Sequence, residues 1–366
     1  MPRQQARAEQ GRTASYEGRQ QLSRQIRVRD PETVEPRLGG LKIGVIVPMS
    51  LSVGRGRMPS WPDVRAFAAH AEALGLDSVW TCDHFLSGPP GQPPEDIHEG
   101  WTILSTLAAS TSRVELGPLV MCVSFRNPAL LAKMAATADA VSSGRLVLGL
   151  GAGWYDPEYE AFGYPTDDRV GRFEEALRII GPLLRGESVT YAGRYYQLRD
   201  AILLPPPDRP IPILVAANGR RMHQLTARYA DAWNTAWFGL PDDRLRQRLA
   251  ELDAALEAEG RDPATLRRTL GMEVRDPDAP VSGAGDDVAF GGSVDELARA
   301  IDAYAGLRFD DLIVGLEPMN ERSLDRLAEA PPAGSSLTRR ARINSPVWES
   351  AFELDRAALT VSRLST

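Results

Sequence analysis

The chain has 366 residues, 43% hydrophobic and 25% charged, which is enough apolar material for one large domain or two ordinary ones. A net charge of -7 argues against a nucleic-acid partner. No apolar run approaches the roughly 18–20 residues of a membrane-crossing helix, and the Arg- and Gln-rich start lacks the apolar stretch of a secretory signal. Cys82 and Cys122 are the only cysteines; they make no disulfide framework and fit a reducing, cytoplasmic setting. Of the 42 basic residues only Lys42 and Lys133 are lysines, a bias we read as GC-rich coding.

Residues 1–40 carry eight Arg, five acids and almost no periodic apolar positions, which predicts a disordered extension. From Leu41 onward short apolar runs alternate with helical patterns. Strands are predicted at 42–47, 77–81, 114–120, 145–150, 212–216, 231–235, 269–274 and 311–316. Between the first two, Val64, Phe67, Ala68, Ala71 and Leu74 share one helix face, and Gly75 stands where that helix should stop. Pro128 sits at a first helical turn, before Leu131, Met134, Ala135 and Ala138. Further helix faces are formed by Phe173, Leu177, Ile180 and Leu184, by Leu245, Leu249, Leu252 and Leu256, and by Val294, Leu297, Ile301 and Tyr304. The longest interval between strands, 151–211, holds a helix and then ESVTYAGRYYQL, a hairpin turning at Ala192-Gly193. Such an excursion is expected to cover a barrel mouth. Past 330 the pattern dissolves into a linker, PPAGSS at 331–336, and a tail at 337–366 with one amphipathic stretch.

Eight β-then-α units within 41–330 predict an α/β fold, a (β/α)8 TIM barrel with insertions. The competing doubly wound sheet would carry G-x-G-x-x-G after its first strand, where this chain runs into Pro48 and Met49.

Barrel enzymes place their reactive groups at the C-terminal strand ends. The second strand ends in Cys82-Asp83-His84-Phe85; a histidine there can act as acid, base or hydrogen-bond donor, with Asp83 to orient it. The bland alternative is a loop histidine bonded to a backbone carbonyl. After the third strand come Cys122 and Arg126. Cys122 has no base in view and reads as a buried structural thiol. Arg126 can meet an anion or stay a surface arginine. The fourth strand ends in glycines, Gly149, Gly151 and Gly153, followed by Trp154 and Tyr155; without Cβ atoms the backbone can be approached closely. This pattern suits a flat ligand with a charged tail. After the fifth strand Ala217, Asn218 and Gly219 form a small-residue turn into a helix that begins at Arg220 and Arg221, a phosphate-binding arrangement. The plain alternative is an ordinary turn with solvated arginines. Four histidines, His70, His84, His98 and His223, show no metal-ligand spacing, so no metal is expected. His70 reads as structural. Should His84 carry no chemistry, Glu99 and Asp156 are next in line.

Taken together, LGLDSVWTCDHF at 74–85, HEGWTILSTLAASTSRVELGPLV at 98–120, RNPALLAKMAATADAVSSGRLVLGLGAGWYDPEYEAFGYP at 126–165, GRYYQL at 193–198 and LTARYADAWN at 225–234 resemble the luciferase-like family of flavin- and deazaflavin-dependent oxidoreductases. The long third segment resembles most the branch that uses the deazaflavin coenzyme F-420. The resemblance covers 41–330 and implies a (β/α)8 barrel. It implies that His84, with Asp83 beside it, lies near the reactive ring. Gly151, Ala152, Gly153 and Trp154 are implied near the cofactor, with Cys122 on the third strand. Ala217, Asn218, Gly219 and Arg220 are implied at the phosphate tail. The chain departs from the commoner pattern at Asn218, where relatives are Gly-rich, and at Met121-Cys122-Val123, where some relatives hold a cis peptide beneath the ring.

The expected function is therefore an oxidoreductase using F-420, moving hydride to or from a small organic substrate. An FMN-dependent monooxygenase that transfers oxygen from a flavin hydroperoxide is the alternative, and a non-catalytic flavin-binding protein is a third, from another class. The expected partner is a small molecule, without nucleic acid or membrane, and a homodimer is the assembly to test for.

Overall fold

The computed structural model describes residues 40–51, 57–88, 93–279 and 289–330. The predicted N-terminal extension, apart from Gly40, and the predicted linker and tail after 330 lie outside the described residues.

The strands in chain order are β1 Lys42–Ile46, β2 Ser78–Thr81, β3 Glu115–Pro118, β4 Met121–Cys122, β5 Leu148–Gly151, β6 Val189–Ala192, β7 Gln197–Ala201, β8 Ile213–Ala216, β9 Ala232–Phe238, β10 Arg267–Arg275 and β11 Asp311–Glu317. The α-helices are α1 Trp61–Ala73, α2 Gly100–Ser110, α3 Pro128–Val141, α4 Asp156–Phe162, α5 Arg169–Leu184, α6 Arg220–Tyr229, α7 Asp243–Ala258, α8 Val294–Gly306 and α9 Glu321–Ala328. The sheet order is β3-β2-β1-β11-β10-β9-β8-β5-β4, with every neighbouring pair parallel. β3 and β4 are two halves of one barrel strand. The first half pairs with β2 and the second with β5, and a bridge from Leu116 to Leu146 joins the two edges. The ring thus closes into the expected (β/α)8 barrel. The predicted single strand at 114–120 is broken at Leu119–Val120, which are joined by a cis peptide bond.

The barrel strands bury mostly apolar residues because both faces are covered. One face packs on the helices through residues such as Ile43, Val45, Val79, Leu116 and Leu148. The other fills the barrel with Ile46, Trp80, Val147, Leu214, Ala232 and Ile313. Gly44 makes room for Trp80: a Cβ there would stand 2.9 Å from the indole nitrogen. At the N-terminal ends of the strands Arg267 bridges Asp311 and Glu115, and Lys42 lies 3.4 Å from Glu115. This charged layer blocks the bottom and leaves the C-terminal end as the open one.

The helices begin where the sequence signals them. Ser60 and Asp63 form a capping box on α1, Ser293 and Glu296 on α8, and Asn127 caps α3 ahead of Pro128. Gly75, at φ +92°, follows α1 in the left-handed conformation that favours glycine. The predicted hairpin is β6–β7, with its turn over 193–196 instead of 192–193, since Gly193 N–H donates to Tyr196 O. The 151–170 part of the excursion, not the hairpin, borders the cavity at the mouth. Glu175 of α5 accepts the backbone N–H groups of Arg194, Tyr195 and Tyr196 at 2.7, 2.9 and 3.1 Å, which pins the hairpin to that helix. Among the described residues, no helix is long and apolar enough to cross a membrane.

Candidate active site

The C-terminal ends of β2, β4, β5, β8 and β9 surround a cavity of about 650 Å³. Of the residues singled out in the sequence, Asp83, His84, Cys122, Gly151, Ala152, Gly153, Trp154, Ala217 and Asn218 line it. Gly219 and Arg220 do not; they border a groove between α6 and α7 with Gln224 and Glu251. Met222 of α6 and Asn234, Thr235, Ala236 and Trp237 of β9 complete one wall.

His84 leaves β2 two residues after Cys82 and points its ring into the cavity. Its orienting partner is Glu158, not Asp83. His84 Nδ1 lies 2.9 Å from Glu158 Oε2. Glu158 Oε1 accepts the backbone N–H of Phe85, and that of Leu86 at 3.1 Å. Three donors therefore converge on one buried carboxylate, which stiffens the loop and the ring together. A carboxylate acceptor on Nδ1 selects the tautomer protonated there and leaves Nε2 as the free nitrogen. The Trp154 ring stands edge-on to His84, 5.8 Å between centroids, and Tyr155 lies 6.5 Å away on the same side.

Asp83 borders the cavity as well, but its carboxylate is bound to other partners. It accepts the Cys122 backbone N–H at 2.9 Å and a two-pronged pair from Arg126 at 2.7 and 2.9 Å. The expected phosphate or surface role of Arg126 is therefore corrected: the guanidinium is an internal tie between the ends of β2 and β4 and the start of α2. Burial works against its charge, but hydrogen bonding and attraction to Asp83, with Glu99 behind them, outweigh burial and hold it above its ordinary value. Glu99 caps α2 through the N–H groups of Trp101 and Thr102, and Asp156 pairs with Arg169. Neither lies in the cavity lining, so both drop out as reserve catalysts.

Cys122 is 5% exposed, with its sulfur 3.0 Å from the Tyr159 hydroxyl. Burial pushes the thiol up to about 11, so it stays protonated and is no nucleophile. The glycines of β5 hold space mainly for protein. A Cβ on Gly151 would meet Val120 at 2.6 Å, and one on Gly153 would meet the Tyr159 hydroxyl and the Cys122 sulfur at 2.7 Å. Gly153 also has φ +81°, a conformation few side chains adopt. Gly151 and Gly153 still present backbone to the cavity.

The β8–α6 turn is built differently. Gly219, at φ +82° and ψ 157°, precedes α6, and no side chain caps that helix. Nothing stands within 4 Å of where its Cβ would be. Asn218 is tied back by Thr235 at 3.3 Å, and Thr235 in turn receives Arg248 at 2.5 Å. The first-turn N–H groups of α6 thus have no side-chain cap, and the residues leading into them, Ala217 and Asn218, line the cavity, with the positive end of the helix dipole at this turn.

Glu158 is the functional candidate that sequence reasoning missed. The acidic loop after β5 was the only signal, and Asp156, Glu158 and Glu160 were indistinguishable in it.

Residues 41–275 match the model of the luciferase-like monooxygenases. F-420-dependent glucose-6-phosphate dehydrogenase of Kineococcus radiotolerans is 38% identical over 215 residues, 57% of this chain and 62% of that protein. Phthiodiolone/phenolphthiodiolone dimycocerosates ketoreductase of Mycobacterium bovis is 36% identical over 249 residues, 63% of this chain and 64% of that protein. The chain thus spans less than two thirds of either relative's length. An F-420-dependent secondary alcohol dehydrogenase, solved with an F-420–acetone adduct, superposes with a TM-score of 0.66 over 79% of this chain and 99% of its own, at 18% identity. That likeness speaks for the fold. With the barrel, the strand-end cavity and a family match over more than half its length, the chain belongs to the luciferase-like monooxygenase family.

Proposed function

We propose that this protein is an oxidoreductase that binds the deazaflavin F-420 in the strand-end cavity and exchanges hydride with a small organic substrate. The observation that carries the reading is the Glu158-held His84 in a cavity whose lining residues Ala217 and Asn218 lead into the uncapped N-terminus of α6. Relatives at 38% and 36% identity, one named for F-420 and one a ketoreductase, support it.

The residues present fit such a group. An anionic tail needs open backbone donors; nothing stands within 4 Å of where a Gly219 Cβ would be, and no side chain caps α6. A flat ring needs an apolar slot, and Leu119, Val120, Ala152 and Ala216 line one. When bound, F-420 supplies the hydride acceptor or donor at C5 of its ring. The protein's part is position and proton handling. Glu158 holds His84 Nδ1, so Nε2 can take a proton from a substrate hydroxyl or return one to a carbonyl oxygen. Asp83 and Arg126 keep the strand ends in register beneath it.

The test is fluorescence titration of the purified protein with F-420 and with FMN. Tighter retention of F-420 is expected. Stronger binding of FMN at equal concentration would replace the F-420 reading by the flavin one.

A further inference from the structure

Arg248 of α7 is a cation behind the cavity wall, and among the described residues no carboxylate pairs with it. Its guanidinium donates to Thr235 Oγ1 at 2.5 Å and to Ala236 O at 3.1 Å, and both residues line the cavity. It stands over the Phe238 ring, 5.3 Å from the centroid, with Arg244 on the same ring at 4.2 Å. Burial, together with the charge of Arg244, pulls its pKa below the ordinary value against the attraction of Asp242 and Glu251. Burying a charge without an acid beside it costs free energy. Here that charge is set against a hydroxyl and a carbonyl.

Its effect on Thr235 follows from proton counting. A guanidinium only donates, so it fills a lone pair of the hydroxyl. The hydroxyl's single proton is left for another acceptor, and it goes to Asn218 Oδ1 at 3.3 Å. With Oδ1 taken, the N–H₂ is the free end of the Asn218 amide, and among the described residues it has no partner. Asn218 lines the cavity at the turn into the uncapped helix α6. The two ends of an amide have nearly the same shape, so only hydrogen bonds decide which way it turns. Turned one way, Asn218 adds a donor beside the positive end of the helix. Turned the other way, it sets a carbonyl oxygen there, which repels an anion.

We propose that Arg248 is a positioning residue: acting through Thr235, it holds the Asn218 amide with its N–H₂ toward the cavity, as a donor to the phosphate group of an anionic ligand. The identity of that ligand rests on the oxidoreductase reading above. The side chain at 218 thereby joins the site instead of crowding it, and its polarity is set from outside the cavity by a residue that does not line it.

The experiment is fluorescence titration of the full chain with F-420, on the parent, Arg248→Met and Thr235→Val, and on each of them combined with Asn218→Gly. Arg248→Met should raise Kd about tenfold, roughly 1.4 kcal/mol. It also removes a charge, so Thr235→Val, which keeps the guanidinium, should raise Kd about fivefold on its own. In the Asn218→Gly background Thr235→Val should change Kd by less than about twofold, because no amide is left to turn. In parallel, the Asn218 side-chain N–H₂ signal in ¹⁵N spectra, identified by its loss in Asn218→Gly, should shift when inorganic phosphate is added to the parent and should not in Thr235→Val. Should Arg248→Met fail to fold, Thr235→Val carries the test alone. An equal cost of Thr235→Val with and without the amide, or an N–H₂ signal that phosphate leaves unmoved, overturns the proposal and makes Arg248 a structural tie between α7 and β9. A parent that retains FMN and not F-420 overturns the cofactor reading alone; the same cycle with FMN, which also carries a phosphate, then decides the proposal.

Discussion

Glu158 and His84, 74 residues apart in the chain, meet at 2.9 Å through a buried carboxylate and an imidazole Nδ1. The same carboxylate accepts the next two backbone N–H groups after the histidine. One side chain from the loop after β5 therefore fixes both the conformation of the β2 loop and the tautomer of its histidine.

Glu158→Gln should reduce turnover by about 10- to 100-fold, the order seen when the partner that orients a functional histidine is lost. The amide retains one acceptor but turns an N–H₂ toward a donor. F-420 affinity should stay within about threefold, because the tail site proposed at α6 does not involve Glu158. A role confined to stability would lower the melting temperature and leave turnover per folded molecule intact. The histidine ring ¹⁵N shifts, which report the tautomer, separate the two.

His84→Ala should remove proton transfer, an effect of about 10²- to 10⁴-fold on rate. Cofactor affinity should stay within about tenfold, roughly 1.4 kcal/mol. Asp83→Asn should act differently from any change at His84. It weakens the Arg126 pair instead of misorienting the ring, so it should lower stability more than rate. Turnover at the parent rate in His84→Ala would make this histidine structural.

The barrel was legible because its signals are local. Apolar runs of strand length, helix faces at i, i+3, i+4 and i+7, Pro128 at a helix start and Gly75 at a stop all act within a few residues. The break between β3 and β4 was not legible, since VELGPLV at 114–120 reads as one strand and the division shows only in the structure, where pairing passes from β2 to β5 across the Leu119–Val120 peptide. In the site, adjacency misled. Asp83 stands next to His84 in sequence, but successive side chains of an extended segment face opposite sides, so Asp83 turns to Arg126 and His84 to Glu158. The true partner comes from another βα loop, and no spacing rule picks Glu158 over Asp156 or Glu160.

Gly153→Ala should destabilise the fold by about 1–3 kcal/mol. Its φ of +81° is strained for alanine, and the new methyl would press on the Tyr159 hydroxyl and Cys122 sulfur. Gly151→Val places a side chain at the cavity wall and against the protein at once. With Val120 at 2.6 Å from the first added carbon, it should lower both stability and binding. Urea midpoints beside F-420 titrations distinguish the two effects. An unchanged midpoint in Gly153→Ala would show that the loop relaxes at no cost.

His223 supplies a pH dependence that can be assigned to one side chain. It is fully buried in the first turns of α6, its ring 6.0 Å from that of Trp233, and the Glu251 carboxylate is 3.7 Å away. Burial, opposed in part by Glu251, pushes its pKa below the ordinary 6.5. The neutral ring is therefore favoured in the folded state. Above pH 6.5 both states hold it neutral, and its contribution to stability is fully present. As pH falls below 6.5 the unfolded chain takes up a proton that the folded chain refuses, and stability is lost until the folded value is passed. The loss from one such group is at most about 1.4 kcal/mol per pH unit. Urea unfolding of the parent and of His223→Gln between pH 7.5 and 5 should show the parent losing more stability in the lower half of that range. The difference between the two curves should be flat above pH 7. Because α6 begins at the uncapped turn beside the cavity, the same acid window should weaken retention of an anionic cofactor in the parent more than in the variant. Parallel curves across the whole range would mean that His223 titrates alike in both states and that its burial is relieved by local opening of α6.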